Sequence, residues 1–285
     1  MEITLLLEHS DRSQLRAWLQ ENHSKGKECW TEFNRNITWI DTVDSTNEEA
    51  RRQIQSLDHL SVISARHQTA GRGQRGNSWS SESGMNLTFS IVIKYGTERY
   101  GDLAPSDQFI ISKITCLAVM EFLKNYGIDA RIKWPNDIYV KDKKIAGILI
   151  ENGLRGSRMA HSIIGIGLNV NQTIFDSNLY NPTSIRLESQ DTTDLDLHDT
   201  LEKFMNIFQD ILENKTLLEV DRLYHSNLWR LDVKSTFVDY TTNIPSSPEF
   251  TGTIRGVSGI GELLIEDENT SEIRKFSFRE IGYIL

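Results

Sequence analysis

Gly71, Gly73 and Gly76 enclose Arg72, Gln74 and Arg75 within the segment Thr69–Trp79, TAGRGQRGNSW. Bare glycine backbone can wrap phosphate oxygens while arginine forks add charge-assisted hydrogen bonds, so the composition suits an anionic ligand. The three glycines also satisfy G-x-G-x-x-G, yet a dinucleotide fingerprint must open a helix whose N-terminus meets the pyrophosphate. The run NSWSSESGMN that follows is poor in helix formers and leads into a strand. A Walker loop is excluded as well, because the closing Gly-Lys-Ser/Thr is missing. Standing alone, such a loop is more often a solvated turn than a ligand cradle.

Three further groups have chemistry-bearing types. Ser45 and Glu48 have capping-box spacing, and Ala50, Ile54 and Leu57 follow at helical intervals. Ser45, Thr46 and Asn47 therefore read first as a helix N-terminus, whose free N–H groups also suit an anion. Lys144 closes the charged turn KDKK, and a lone lysine there ordinarily points to solvent. Asp137 reads first as a turn residue after Pro135. The seven histidines lack HExxH-like spacing, so no built-in zinc site is expected.

The elements that must position these residues are short and strand-rich. ITWI, LSVISA, MNLTFSIVIK, IAGILIE and SIIGIGLNV read as strands, IYV precedes the KDKK hairpin turn, and ARIKW runs into Pro135. Residues 109–126 are apolar on most faces, which predicts a buried helix capped near Gly127. Leu201, Phe204, Met205, Phe208, Ile211 and Leu212 mark an amphipathic helix, and a second runs over about residues 216–228. After Leu231 the helices stop. STFVDY, EFTGTIRG, ELLIED and IRKFSF then predict a small β-barrel. The architecture expected is α+β over residues 37–231 with a small all-β domain over 232–285. Residues 1–36 carry one weak helical pattern, Leu15, Trp18 and Leu19, and read as an appendage.

The bulk composition sets outer limits. The 31 Lys+Arg against 40 Asp+Glu, a formal charge of -9, argue against general nucleic-acid binding. No apolar run reaches the roughly 18 residues of a membrane span, and no basic n-region precedes the first leucines, so a soluble, unprocessed protein is expected. Cys29 and Cys116 are the two cysteines, and Cys116 sits in an apolar run, which fits a reduced cytoplasm and no disulfide framework.

Five segments together resemble the biotin protein ligases: Asp44-Ser45-Thr46-Asn47, residues 66–73 (RHQTAGRG), Lys133-Trp134-Pro135-Asn136-Asp137, residues 144–149 (KIAGIL) and residues 165–170 (GIGLNV). Their order and spacing match the family over residues 38–285. The resemblance implies a biotin/lipoate ligase-like catalytic domain with a mixed β-sheet, followed by a small SH3-like barrel. It implies an enzyme that makes biotinyl-5'-AMP from biotin and ATP with Mg²⁺, then passes biotin to a lysine of a biotin carboxyl carrier protein. Two other readings stand beside it. A lipoate or octanoate ligase shares the fold, but Arg66, Gln68, Gly71 and Arg72 favour biotin. A biotin-sensing repressor needs an N-terminal winged helix of about 60 residues, and 36 residues with no basic cluster precede the motifs. No nucleic acid and no membrane are expected as partners, and monomer and homodimer both stay open.

By this resemblance Ser45, Thr46, Asn47, Gln68, Gly71, Arg72, Gly73, Gln74, Lys144 and Gly147 form the biotin side of the site. Many members carry a second arginine where this chain has Gln74. Lys144 and Arg72 are expected to meet the carboxylate and the α-phosphate, and Asp137 either serves the Mg²⁺ that accompanies ATP or orients Lys144. Arg75, Trp79, Asn136, Asn169 and Arg279 form the ATP side, with Trp79, in an exposed setting, stacking on adenine and Trp134 going to the core. Gly165 and Gly167 would let a ligand approach the backbone. The loop 69–79, with three glycines and no apolar anchor before Trp79, is expected to be open without ligand and to order when Arg72 meets an anion.

Overall fold

A computed structural model describes residues 36–96, 101–191, 193–241 and 248–284; the N-terminal helical pattern and Cys29 lie outside the described residues. The chain runs β1 (Ile37–Val43), α1 (Thr46–Arg52), β2 (Val62–Gln68), β3 (Leu87–Lys94), α2 (Phe109–Lys124), β4 (Arg131–Lys133), β5 (Asp137–Val140), β6 (Lys143–Arg155) and β7 (Arg158–Leu168). A four-residue helix α3 (Ile185–Glu188), then α4 (Leu197–Asn214) and α5 (Leu217–Ser226), precede β8 (Lys234–Asp239), β9 (Glu249–Val257), β10 (Leu263–Asp267), β11 (Ile273–Phe276) and β12 (Ile281–Ile284).

Seven strands form a mixed sheet in the order β1-β2-β3-β7-β6-β5-β4, with β1 parallel to β2 and every other pair antiparallel. Successive strand residues point to opposite faces, and both faces here are covered, which explains the nearly continuous apolar runs. Val62, Ile91, Ile93, Ile164 and Ile166 join the main core with α2, α4 and α5, whereas Ile63, Val92 and Ile163 pack with Ala50 and Leu57 beneath α1. The helix α2 is buried nearly throughout, as its uniform apolarity predicts, and Gly127 takes the left-handed conformation (φ 72°) just beyond it. Thr216 and Glu219 form a reciprocal capping box that starts α5.

The tail forms an antiparallel sheet in the order β11-β10-β9-β8-β12. Laid flat, its end strands would stand about 19 Å apart, four strand spacings, yet only residues 277–280 join β11 to β12. The sheet must therefore curl, as a small barrel does. Curling also brings Arg274 of β11 onto Asp239 of β8, with Asp267 of β10 as its second partner at 3.2 Å. Asp239 is buried; burial pulls its pKa up, but the Thr241 hydroxyl and amide and the Arg274 guanidinium outweigh that and hold it below the ordinary carboxylate value. Because folding lowers this pKa, the carboxylate contributes stability that is complete above about pH 4 and is lost as the pH falls below it. Asp239→Asn is expected to cost about 1–3 kcal/mol at pH 7, with the gap to wild type narrowing in melts at pH 3; equal gaps at both pH values would show that the ion pair is not the source.

Candidate active site

The sheet makes the site by withdrawing side chains. On β7, Ile163, Gly165 and Gly167 share the α1 face, while Ile164, Ile166 and Leu168 serve the core. Gly167 pairs with Gly147 of β6, and Gly165 pairs with Leu149 on one side and Ser90 of β3 on the other. Glycines at three adjoining positions make room on that face for the Asn47 and Trp79 side chains, and a cavity of about 310 Å³ lies against them. Ser45, Thr46, Asn47 and Gln68 line one end, residues 133–137 and Lys144 the other, and Arg72, Gly73, Gln74, Asn77, Ser78 and Trp79 come over it from the glycine loop.

Lys144 reaches this face through a β-bulge. Ala146 opposite Ile138 faces the core, and strict alternation would send Lys144 to the same side. The register shifts by one residue there, Ile145 turns into the core, and Lys144 emerges beside Gly147. Its backbone is fixed from the other side: the Lys144 amide donates to the Asn181 carbonyl at 2.7 Å, and the Thr183 amide donates to the Lys144 carbonyl at 2.9 Å. Lys144 Nζ lies 2.8 Å from Asp137 Oδ1, and 5.8 Å from the centre of the Trp79 ring. Asp137 is thus paired with Lys144 in the cavity.

The helix end differs from the capping box expected. Ser45 occupies the N-cap without a side-chain bond, its own amide donates to Asp44 Oδ1 at 2.8 Å, and the Thr46 amide donates to Gln68 Oε1 at 2.8 Å. Glu48 turns away to Arg51 and Arg72. The helix also ends at Arg52, so Ile54 and Leu57 pack from the turn that follows. Asn47 is buried at the centre of a network: Ser90 Oγ donates to its Oδ1 at 2.6 Å, and its amide donates to Glu151 at 2.9 Å and to the Leu149 carbonyl at 3.3 Å.

The loop 71–79 is folded on itself. The Trp79 amide donates to the Gly71 carbonyl at 2.9 Å, the Gly73 amide to the Asn77 carbonyl at 2.7 Å, and residues 74–76 make one 3-10 turn. Gly71 is required because a Cβ there would overlap the Trp79 carbonyl. Contrary to the expectation that Arg72 waits for a ligand anion, it pairs here with Glu48 and, at 2.9 Å, with Glu151. Trp79 is half-buried, not exposed: its ring lies over Gly167 and beside Gly147, and its indole N–H is enclosed without an acceptor. The Arg75 side chain lies outside the described residues.

Two residues expected on the ATP side lie outside the cavity lining. Asn169 is buried behind the sheet edge, where its amide donates to the Thr183 carbonyl at 2.8 Å, and it does not line the cavity. Arg279 lies in the turn 277–280 in a left-handed conformation (φ 80°), exposed and outside the cavity lining; the same turn seats Phe278 against Phe109 and Trp134. Asn136 does line the cavity, with its amide committed to the Ile148 carbonyl. Trp134 is buried as expected, in a hairpin turn and not a strand, and its indole N–H donates to the Gly261 carbonyl at 2.9 Å. Glu48, Glu151, Lys133 and Tyr283 were not anticipated. The first two would have required knowing that α1, the loop and β6 converge, and Tyr283 reaches the cavity only because β12, a strand the sequence reading missed, closes the tail sheet.

Among the described residues no helix is long and apolar enough to cross a membrane. Residues 39–169 match the model of the biotin/lipoate A/B protein ligase family. The chain is 31% identical over 237 residues to the bifunctional ligase/repressor BirA of Salmonella typhimurium, covering 82% of this chain and 70% of that one. It is 32% identical over 127 residues to the biotin--[acetyl-CoA-carboxylase] ligase of Paracoccus denitrificans, covering 45% and 51%. The biotin protein ligase of Aquifex aeolicus, solved in complex with biotin and ATP, superposes with a TM-score of 0.67 at 26% identity, covering 88% of this chain and 98% of that one. With the glycine-floored cavity lying inside the matched segment, the chain belongs to the biotin/lipoate A/B protein ligase family.

Proposed function

We propose that this chain is a biotin protein ligase: it joins biotin to AMP from ATP, releasing pyrophosphate, and then transfers biotin to a lysine of a biotin carboxyl carrier protein in the cytoplasm. The observation that carries this is the Lys144–Asp137 pair set at the rim of a hollow floored by Gly147, Gly165 and Gly167. The glycines let Trp79 and Asn47 lie close on the sheet as walls of the cavity, and Ser45, Thr46, Asn47 and Gln68 supply polar groups at one end. Lys144, held by Asp137, meets the carboxylate and the α-phosphate where charge accumulates as the new P–O bond forms. Arg72, Gly73 and Gln74 close over the mixed anhydride and keep water from it. In this reading residues 37–231 are the ligase unit, and 232–285 complete the cavity wall through Ile281, Gly282 and Tyr283.

Asp137 is the sole carboxylate lining the cavity among the described residues. That donor set fits Mg²⁺, which takes one or two protein carboxylates and draws its remaining ligands from phosphates and water. Bound with ATP, the ion would offset phosphate charge, with Asp137 as its protein contact.

Labelled biotin, ATP and Mg²⁺ incubated with the protein and a biotin carboxyl carrier domain should label the carrier lysine. Labelling from lipoate in place of biotin, or from neither, would overturn the reading. Trp79 is assigned to the adenine face of the site. Trp79→Ala is therefore expected to weaken ATP binding by about 1–3 kcal/mol with a smaller effect on biotin, measured by calorimetry with each ligand. Unchanged nucleotide affinity with a lowered melting temperature would assign the ring to packing on Gly147 and Gly167 instead.

A further inference from the structure

Among the described residues three cationic side chains line the cavity: Arg72, Lys133 and Lys144. Two have carboxylate partners, Arg72 with Glu48 and Glu151, Lys144 with Asp137. Lys133 is held by rings. Its Nζ stands 4.6 Å from the centre of Tyr139, 5.1 Å from Tyr283 and 5.4 Å from Trp229, and donates to the Tyr139 hydroxyl at 3.2 Å. Aromatic faces attract a cation but leave its charge uncompensated. Burial accordingly lowers the Lys133 pKa, with Asp137 opposing the shift and Lys144 and Arg230 adding to it. A second observation lies beside it: the Tyr283 hydroxyl is enclosed and has no hydrogen-bond partner. A buried donor left unpaired is costly, and an acceptor brought by a ligand relieves it. Register places Lys133 on the reacting face, since Lys133, Asp137, Gly147 and Gly167 are successive partners in one row across the sheet, and Tyr283 lines the same cavity from β12. Lys133 thus stands one strand, about 4.8 Å, beyond Asp137.

We propose that Lys133 and Tyr283 form a polyphosphate subsite, which receives the β- and γ-phosphates of the nucleotide and holds pyrophosphate as it leaves. This rests on the adenylating activity proposed above. In that step a carboxylate oxygen bonds to the α-phosphorus, the bond from the α-phosphorus to the α,β-bridging oxygen breaks, and its electron pair departs with pyrophosphate. Charge moves outward from Lys144 on β6 toward β4, two strands on, where Lys133 supplies the counter-charge and the Tyr283 O–H donates to a phosphoryl oxygen.

The test uses the full chain and three substitutions: Lys133→Met, which keeps the aliphatic stem among the rings, Lys133→Arg and Tyr283→Phe. In Lys133→Met the KM for ATP and the Ki of inorganic pyrophosphate should rise about tenfold or more, and in Tyr283→Phe about threefold. Lys133→Arg should restore values close to wild type. Biotin affinity and the rate of transfer from preformed biotinyl-adenylate to the carrier should not change. An unaltered ATP KM and pyrophosphate Ki in folded Lys133→Met would overturn the subsite. So would a defect confined to the transfer step, which would place Lys133 at the carrier lysine, or a parallel loss of biotin affinity, which would make it a packing residue. Should Lys133→Met fail to fold, an unchanged pyrophosphate Ki in Tyr283→Phe overturns the proposal equally. Wild type provides the separating control. If it does not exchange labelled pyrophosphate into ATP when biotin is present, the ligase reading falls and the subsite with it; if it does, an indifferent Lys133→Met removes the subsite alone.

Discussion

Lys144→Ala is expected to slow biotin-dependent pyrophosphate release by about 10²–10³-fold, the effect of removing one preorganised charge from a developing phosphoryl transition state. The magnitude depends on how little freedom Lys144 has. Its backbone is bonded on both edges, to β5 through the bulge and to Asn181 and Thr183 through its own amide and carbonyl. Its Nζ is then fixed by Asp137 at 2.8 Å. Little reorganisation remains when charge builds up at phosphorus, and alanine removes the whole preorganised group. Asp137→Asn should cost less, because the amide can still accept a hydrogen bond from Nζ while no longer fixing it by charge. Single-turnover measurement of pyrophosphate, with biotin and ATP saturating, separates this chemistry from binding. A folded Lys144→Ala releasing pyrophosphate within a few-fold of wild type would remove Lys144 from the reacting centre.

The features legible in the sequence are those written as local pattern. Alternation and β-branched content located the main strands, the uniform apolarity of residues 109–126 announced a buried helix, and helical periodicity placed another over about residues 216–228. The glycines of β6 and β7 were also readable as points of close backbone approach. What escaped depends on partners distant in the chain. Ser45 and Glu48 have the spacing of a capping box, but Asp44 Oδ1 takes the Ser45 amide, and Glu48 is drawn to Arg72 by the loop that returns over α1. Asn169 sits at the end of an apolar strand where a ligand contact seemed natural; the strand end is instead stitched to Thr183 and Ile185. The one-residue bulge that aims Lys144 leaves no mark in KIAG, since Ile145 and Ala146 both look like core. Trp79 looked exposed because its neighbours are polar, yet the space vacated by Gly147 and Gly167 accommodates its ring.

Gly165→Ala is expected to lower biotin affinity by about 100-fold or more, the scale reached when buried polar groups built to bond a ligand lose their arrangement. A methyl group at residue 165 would overlap Asn47 Oδ1 and come within 2.9 Å of its Cγ. Asn47 cannot simply swing aside. Its Oδ1 holds Ser90, its amide holds Glu151 and the Leu149 carbonyl, and Glu151 in turn holds Arg51 and Arg72. Displacing Asn47 therefore disturbs the closed end of the cavity and loosens an ionic tie of the loop that covers it. Gly167→Ala offers the contrast. The nearest atoms its methyl group would overlap are those of the Trp79 ring, which belongs to the loop and can withdraw with it, so the main loss should fall on ATP and not on biotin. Calorimetry of both variants with biotin alone and with a non-hydrolysable ATP analogue alone reads the two effects apart. If Gly165→Ala binds biotin as wild type does, Asn47 is not part of the biotin end, and the polar cluster of Asn47, Ser90 and Glu151 serves only to hold α1 on the sheet.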